Sequence, residues 1–400
     1  MISIRRWGVV VLGLVVAGAL PMRAQGAELI LLDAAAAPAG VAAFDLTPDG
    51  AWVVGTSDGR VFRWSESGGV EFLSPPDWLN TTRAAISDDG SVIVSTVLDP
   101  VANLISPARW TEAGGWAYLG CLPGVPPTPD TPPSCGSGYD VSGDGATVAG
   151  LAWHGDTYDA EAFLWTSVGG MVGLGMPVPM SSRASVISAD GHVIGGFYEH
   201  ESWGMRRPVR WIDGGAPDLF IDPYSMGEVG GVTADGALLT GTALLLDELG
   251  LPVPPWTVSK AFRFSDADGF RYVLPIRDFD DFASEQGAMG NAISDAGMIV
   301  GWSGSMGPWG EVFPAFACPG SPRMGNLAHL LVAEGATIPA DLLLTSALGI
   351  SPDGTRVVGQ ALDATTFDYV PFVAHFTDPC DILVDGFESG DTAAWTLAIP

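Results

Sequence analysis

The chain has 400 residues, 47% of them hydrophobic and 16% charged, with 17 Lys and Arg against 46 Asp and Glu and a formal charge of −29. Its single lysine is Lys260. That balance excludes general affinity for nucleic acid, which needs cationic side chains to displace counterions, and it disfavours anionic membrane surfaces.

Residues 1–26 read as a signal peptide. Arg5 and Arg6 form a basic start, Gly8–Leu20 is an apolar run, and Pro21 precedes the small residues around Ala24–Ala27. Ala24 and Gly26 suit the −3 and −1 positions of a cleavage site. The apolar run is too short for a comfortable membrane span, and no later segment is long enough for one. Gly8-Val9 after the arginine pair favours general secretion over twin-arginine export. Cleavage removes Arg5, Arg6 and Arg23 and leaves a mature charge of −32. The expected location is extracellular or cell-surface, with the periplasm also open. Acidity of this kind keeps a secreted protein soluble, and a monomer is expected.

From residue 28 onward one phrase organises the chain. An apolar segment, Glu28–Asp33, comes first. Then Ser/Thr-x-Asp-Gly recurs seven times, beginning at Thr47, Ser87, Ser142, Ser188, Thr233, Ser294 and Ser351. The glycines are spaced 40, 55, 46, 45, 61 and 57 apart, and the sixth copy, Ser294-Asp295-Ala296-Gly297, has its Asp one place early. Before each phrase lies a strand of small residues, such as Ala84–Ile86. Asp-Gly supplies a tight hairpin, because Gly accepts positive φ and Asp bonds its own turn. Val357-Val358-Gly359 exemplifies the returning β-branched strand.

A third strand follows in each unit. It is Phe62-Arg63-Trp64, Ala108-Arg109-Trp110, Phe163-Leu164-Trp165, Val209-Arg210-Trp211 or Phe262-Arg263-Phe264, with weaker copies at Ala315–Ala317 and Val373–Phe376. Gly-x-x-x-Leu segments, such as Gly69–Leu73 and Gly170–Leu174, give a fourth. Four strands in seven units predict an all-β, seven-bladed β-propeller over residues 27–380. A helical turn or two is expected only around Asn326–Ala333. Unit seven lacks a fourth strand, and Glu28–Asp33 lacks a unit, so the N-terminal strand is expected to close the ring. Ile382-Leu383-Val384 is the competing candidate.

The succession Ala-x-x-Ile-Ser-x-Asp-Gly-x-Val-Val-Gly, then Ala-Phe-x-Trp, then Gly-x-x-x-Leu resembles the HAF-type bacterial extracellular repeat family over residues 28–377. Ala162-Phe163-Leu164-Trp165 is the best match, although Ser-Pro-Asp-Gly also occurs in TolB-like propellers. The resemblance implies secretion and a repeat fold, and carries no defined activity. Residues 381–400 form a tail in which Asp385–Trp395 resembles a short terminal tag of secreted bacterial proteins, implying sorting or surface retention.

Four cysteines in an exported chain point to disulfides. Cys121 and Cys135 bracket the Pro-rich stretch Leu122–Ser134 between units two and three, and a bridge there would staple it. Cys318 and Cys380 would pair by exclusion.

No cofactor and no metal site is read from the sequence. The seven Asp of the hairpins repeat as a turn signature. The five His, His154, His192, His200, His329 and His375, have no ligand spacing. The acidic run Asp278–Asp281 reads as a solvated loop. The better functional signal lies in the links between second and third strands, which antiparallel order places on the face opposite the Asp-Gly hairpins. They are long and aromatic: Trp153 and Tyr158, Phe197, Tyr198 and Trp203, Trp256, Trp302 and Trp309, Phe367 and Tyr369. Asp156, Asp159, Glu199, Glu201 and Asp368 accompany them. Such loops suit stacking and hydrogen bonding to a polysaccharide or a cell-surface protein. The same rings also serve to cover blade edges. Three functions stay open: a non-enzymatic binding propeller, a glycan hydrolase or lyase using carboxylates such as Asp156 and Glu199, and a structural matrix protein.

Overall fold

The computed structural model describes residues 26–37, 40–74, 83–175, 180–200, 204–221, 225–247, 249–253, 258–276, 286–305, 312–377 and 380. Residues 1–25 of the expected signal peptide, Asp278–Asp281, Ile382–Val384 and the Asp385–Trp395 segment lie outside them.

Seven antiparallel sheets form a seven-bladed β-propeller. Blade one runs Ala42–Leu46, Val53–Ser57, Arg60–Ser65, Gly69–Phe72 from the inside outward. The innermost strands of blades two to six are Ala85–Ile86, Gly136–Val141, Ser182–Ile187, Met226–Val232 and Gly287–Ile293, and that of blade seven is Leu342–Ile350. Blade four has three strands, with an Arg210–Asp218 bridge beside the third. Blade six ends in Gly325–Asn326, which leads into the helix Leu327–Ala333. Asn326 caps that helix, its side chain accepting from the Ala328 and His329 amides.

The core is divided the same way. Seven clusters of buried apolar side chains fill the interfaces between neighbouring blades, including the one between blades seven and one. Third-strand rings dominate them: Phe62, Phe163, Phe262 and Phe372 are fully buried. Glu28–Leu31 is the outermost strand of blade seven, with Glu28 opposite His375 and Leu31 opposite Phe372. Its side chains alternate, Leu29 and Leu31 packing toward blade six and Ile30 toward blade one. That this pairing holds the ring shut is a proposal, taken up below.

The repeated phrase has a physical explanation. In six of the seven turns the Ser or Thr hydroxyl donates to Asp Oδ1, as Ser351 does to Asp353 at 2.6 Å. The same Oδ1 accepts the amide two residues on, and the hydroxyl accepts the amide five residues on. The following Gly sits at positive φ, +77° at Gly354. These bonds hold the turn carboxylates below their ordinary value. In the sixth turn the early Asp295 instead accepts the Ala234 amide of blade five at 2.9 Å.

Candidate functional site

The aromatic residues expected in links are mostly strand residues. Trp153 lies in Thr147–His154 opposite Ala160, and Trp302 lies in Ile299–Gly304 between Met289 and Pro314; both are half-buried. Phe197 and Tyr198 belong to Val193–Glu199 and are buried. Their faces are covered by arginines: Arg183 and Arg206 stand 4.8 and 4.2 Å from the Phe197 ring, and Arg207 stands 4.4 Å from Tyr198. Tyr369 opens the strand Tyr369–His375, its backbone bonded to Ala37. Glu199 accepts the Ser181 amide at 3.1 Å, while Asp156 is exposed in its turn. Trp203, Trp256 and Trp309 lie outside the described residues.

Among the described residues of this set, two rings do reach solvent at turn tips. Tyr158 is 50% and Phe367 72% exposed. Each closes a turn by donating its amide to the carbonyl four residues earlier, His154 and Asp363. Each has left-handed backbone, φ +60° and +62°, which a bulky side chain rarely adopts and which concentrates at functional positions. An Asp follows each ring, Asp159 and Asp368. In blade two the corresponding left-handed residue is Asn103. A third solvent-facing feature is the turn at Asp247, whose carboxylate accepts the Leu249 and Leu251 amides and leaves those leucines 79% and 58% exposed.

The structure also shows a site that the sequence reading missed. A funnel of about 160 Å3 opens along the propeller axis, lined by the ends of all seven innermost strands and by the second residue of each Asp-Gly turn, from Pro48 to Pro352. Asp45 and Asp140 lie in it two residues before Thr47 and Ser142. Asp45 accepts the Leu46 amide at 2.8 Å and the Ile86 amide of blade two at 2.9 Å. Asp140 repeats this with Val141 at 2.9 Å and Ile187 of blade four at 2.8 Å. Arg83 of blade two lines the same funnel between them in blade order.

Burial raises the Asp45 carboxyl despite those amides and the nearby Arg83 charge. Burial first, and the Asp45 charge second, push Asp140 up to about 7. At the rim Asp88 is also raised, by burial and then by Asp89, Asp295 and Asp144. A signal was available: at the position two before Ser/Thr, the seven units read Asp45, Ala85, Asp140, Val186, Gly231, Ala292 and Gly349. Among the described residues no group of three or more acidic, His or Cys side chains is arranged to hold a metal.

No known family profile matches the chain, and no curated protein matches it by sequence. Solved structures do resemble it in fold. The β-propeller domain of the Trilobed protease from Pyrococcus furiosus is similar over 91% of this chain and 99% of its own, with TM-score 0.53 and 12% identity. An oligogalacturonate lyase from Vibrio parahaemolyticus is similar over 88% and 94%, with TM-score 0.56 and 10% identity. A putative TolB from Agrobacterium tumefaciens matches over 62% and 89%, with TM-score 0.43 and 14% identity. The first two likenesses define the class, a β-propeller, and at these identities do not fix an activity.

Proposed function

We propose that the chain is an exported, non-enzymatic propeller that binds a polysaccharide through the face bearing its second-to-third strand turns. The observation carrying this reading is the pair Tyr158 and Phe367, two solvent-exposed rings held in left-handed backbone at corresponding turn tips, each beside an Asp. A ring face with an adjacent carboxylate suits a sugar, which offers C–H surface and hydroxyl donors. Export accords with two disulfides, Cys121–Cys135 and Cys318–Cys380, and with the sequence resemblance to extracellular repeats. Attachment of the C-terminal segment to the cell surface belongs to the same proposal.

The test is a glycan array with the mature oxidised protein, alongside Tyr158→Ala and Phe367→Ala. Binding that weakens in either variant at unchanged melting temperature supports the reading. Release of shortened glycan would favour a hydrolase or lyase, saturable binding to cell-surface protein alone would move the partner, and silence in every arm would favour a structural role.

A further inference from the structure

We propose that the axial funnel is a second, separate site that takes the end of a neutral sugar, a polyol whose hydroxyls stand between Arg83 and the Asp45 and Asp140 carboxylates. It opens on the Asp-Gly face, opposite Tyr158 and Phe367, and does not depend on the loop-face reading.

The polar side of the funnel has unmet demands. Arg83 Nε is shut off from solvent and has no hydrogen-bond partner among the described residues. Its charge acts on both carboxylates, yet among the described residues it hydrogen-bonds to neither. Buried polar groups in folded proteins are otherwise paired. Each of the four carboxylate oxygens takes one backbone amide, which leaves each a further lone pair. The other side is lined by small residues, Ala189, Gly230, Gly231, Ala234, Ala292 and Gly349.

The chemistry of the occupant follows from these demands. An anion would meet Arg83 but face Asp45 and Asp140, with Asp88 and Asp295 at the mouth. A bare cation would meet the carboxylates and leave the guanidinium without an acceptor. A hydroxyl accepts from Arg83 and donates to a carboxylate, so neighbouring hydroxyls of one sugar meet both demands. The C–H surface of the ring then lies against the small-residue wall.

The test is saturation-transfer NMR and calorimetry with glucose, galactose and mannose as probes, and with Ca2+ or Mn2+ alone as a control. The proteins are the mature chain, Arg83→Met, Ala189→Trp and, as a control, Val168→Ala, an exposed residue that lines neither site. Ala189 lies at the mouth, where other blades carry Pro48, Asp88 and Pro352, so added bulk there leaves the test valid should Arg83→Met fail to fold. Saturable binding of at least one sugar is expected, weakened roughly tenfold or more by Ala189→Trp and by folded Arg83→Met, and unchanged by Val168→Ala. No saturable sugar binding overturns the proposal. So does sugar binding indifferent to both funnel variants, a response to the metal ions alone, or a crystal soaked in sugar whose funnel holds only ordered water.

Discussion

Arg210 of blade four donates from Nη2 to Asp266 of blade five at 2.7 Å. Its guanidinium also lies 5.2 Å from the Phe264 ring of that neighbour. The central Arg of the third strand thus reaches across the blade interface. Arg63 does the same, 2.6 Å from Glu112 and 4.7 Å from the Trp110 ring, and Arg263 donates to the Gly297 and Cys318 carbonyls of blade six.

The Arg210 side chain is only 11% exposed while Asp266 is 74% exposed. Its value is therefore packing of the stem and ring contact more than the ion pair. Arg210→Ala is expected to lower unfolding free energy by about 1–3 kcal/mol, and Asp266→Ala by at most about 1 kcal/mol. Urea denaturation of both variants checks the asymmetry. Equal losses would show that the charge pair carries the contact.

If Glu28–Leu31 holds the ring shut, residues beside it matter in proportion. Leu32 is 2% exposed against blades seven and one. Leu32→Ala should cost about 2–5 kcal/mol, and removal of residues 28–32 should expose the edge of Tyr369–His375 to hydrogen exchange. Unchanged protection along that strand would count against closure by this segment.

The two disulfides should differ in effect. Cys121–Cys135 spans 14 residues and Cys318–Cys380 spans 62. Chain entropy gives about 3 kcal/mol for the shorter loop and about 4 kcal/mol for the longer. Paired Cys→Ser variants, compared by chemical unfolding, should rank in that order, and non-reducing peptide mapping should recover both linked pairs.

Blade count and strand order were legible because each rests on local chemistry repeated along the chain, whereas the cysteine pairs followed from the Pro-rich stretch between Cys121 and Cys135 and, for Cys318 and Cys380, from exclusion. Asp-Gly turns and buried third-strand rings mean the same thing in every copy. The funnel was not legible in that way, since Asp45, Arg83 and Asp140 meet only through three different blades. Exposure was equally hidden. Phe197 and Phe367 look alike in the sequence, yet one is buried at 4% and the other is 72% exposed. Whether a ring is covered depends on arginines such as Arg183 and Arg206, which come from other strands.

The Gly that ends Val-Val-Gly is explained only by the fold. A Cβ on Gly359 would sit 2.1 Å from the Ser346 carbonyl and 2.9 Å from the Phe372 ring. The innermost strands of six blades carry a bulge at this level, between Ala347 and Gly349 in blade seven. Gly359→Ala should therefore cost more than the ordinary Gly-to-Ala strand change, on the order of 3 kcal/mol. Gly170→Ala, in open space at positive φ, should cost about 1 kcal/mol. Thermal melts of the two variants test the ranking.

Asp140 sets a pH dependence of unusual sign. Its folded value, about 7, lies above the ordinary 3.8, so the fold binds its proton more tightly than the unfolded chain does. That contribution is fully present below 3.8 and is lost as pH rises toward about 7. The turn carboxylates, among them Asp144 and Asp353, are lowered and act oppositely, stabilising at neutral pH and losing that effect in acid. Comparing wild type with Asp140→Asn separates the two, because the turn groups are common to both. Asparagine gives up one acceptor toward the Val141 or Ile187 amide, which offsets the curves by a constant. Between pH 4 and 7 the wild-type advantage should shrink by as much as roughly 1.4 kcal/mol per unit, and above that window the difference should be flat. Parallel stability curves across the whole range would mean that Asp140 titrates as an ordinary carboxylate.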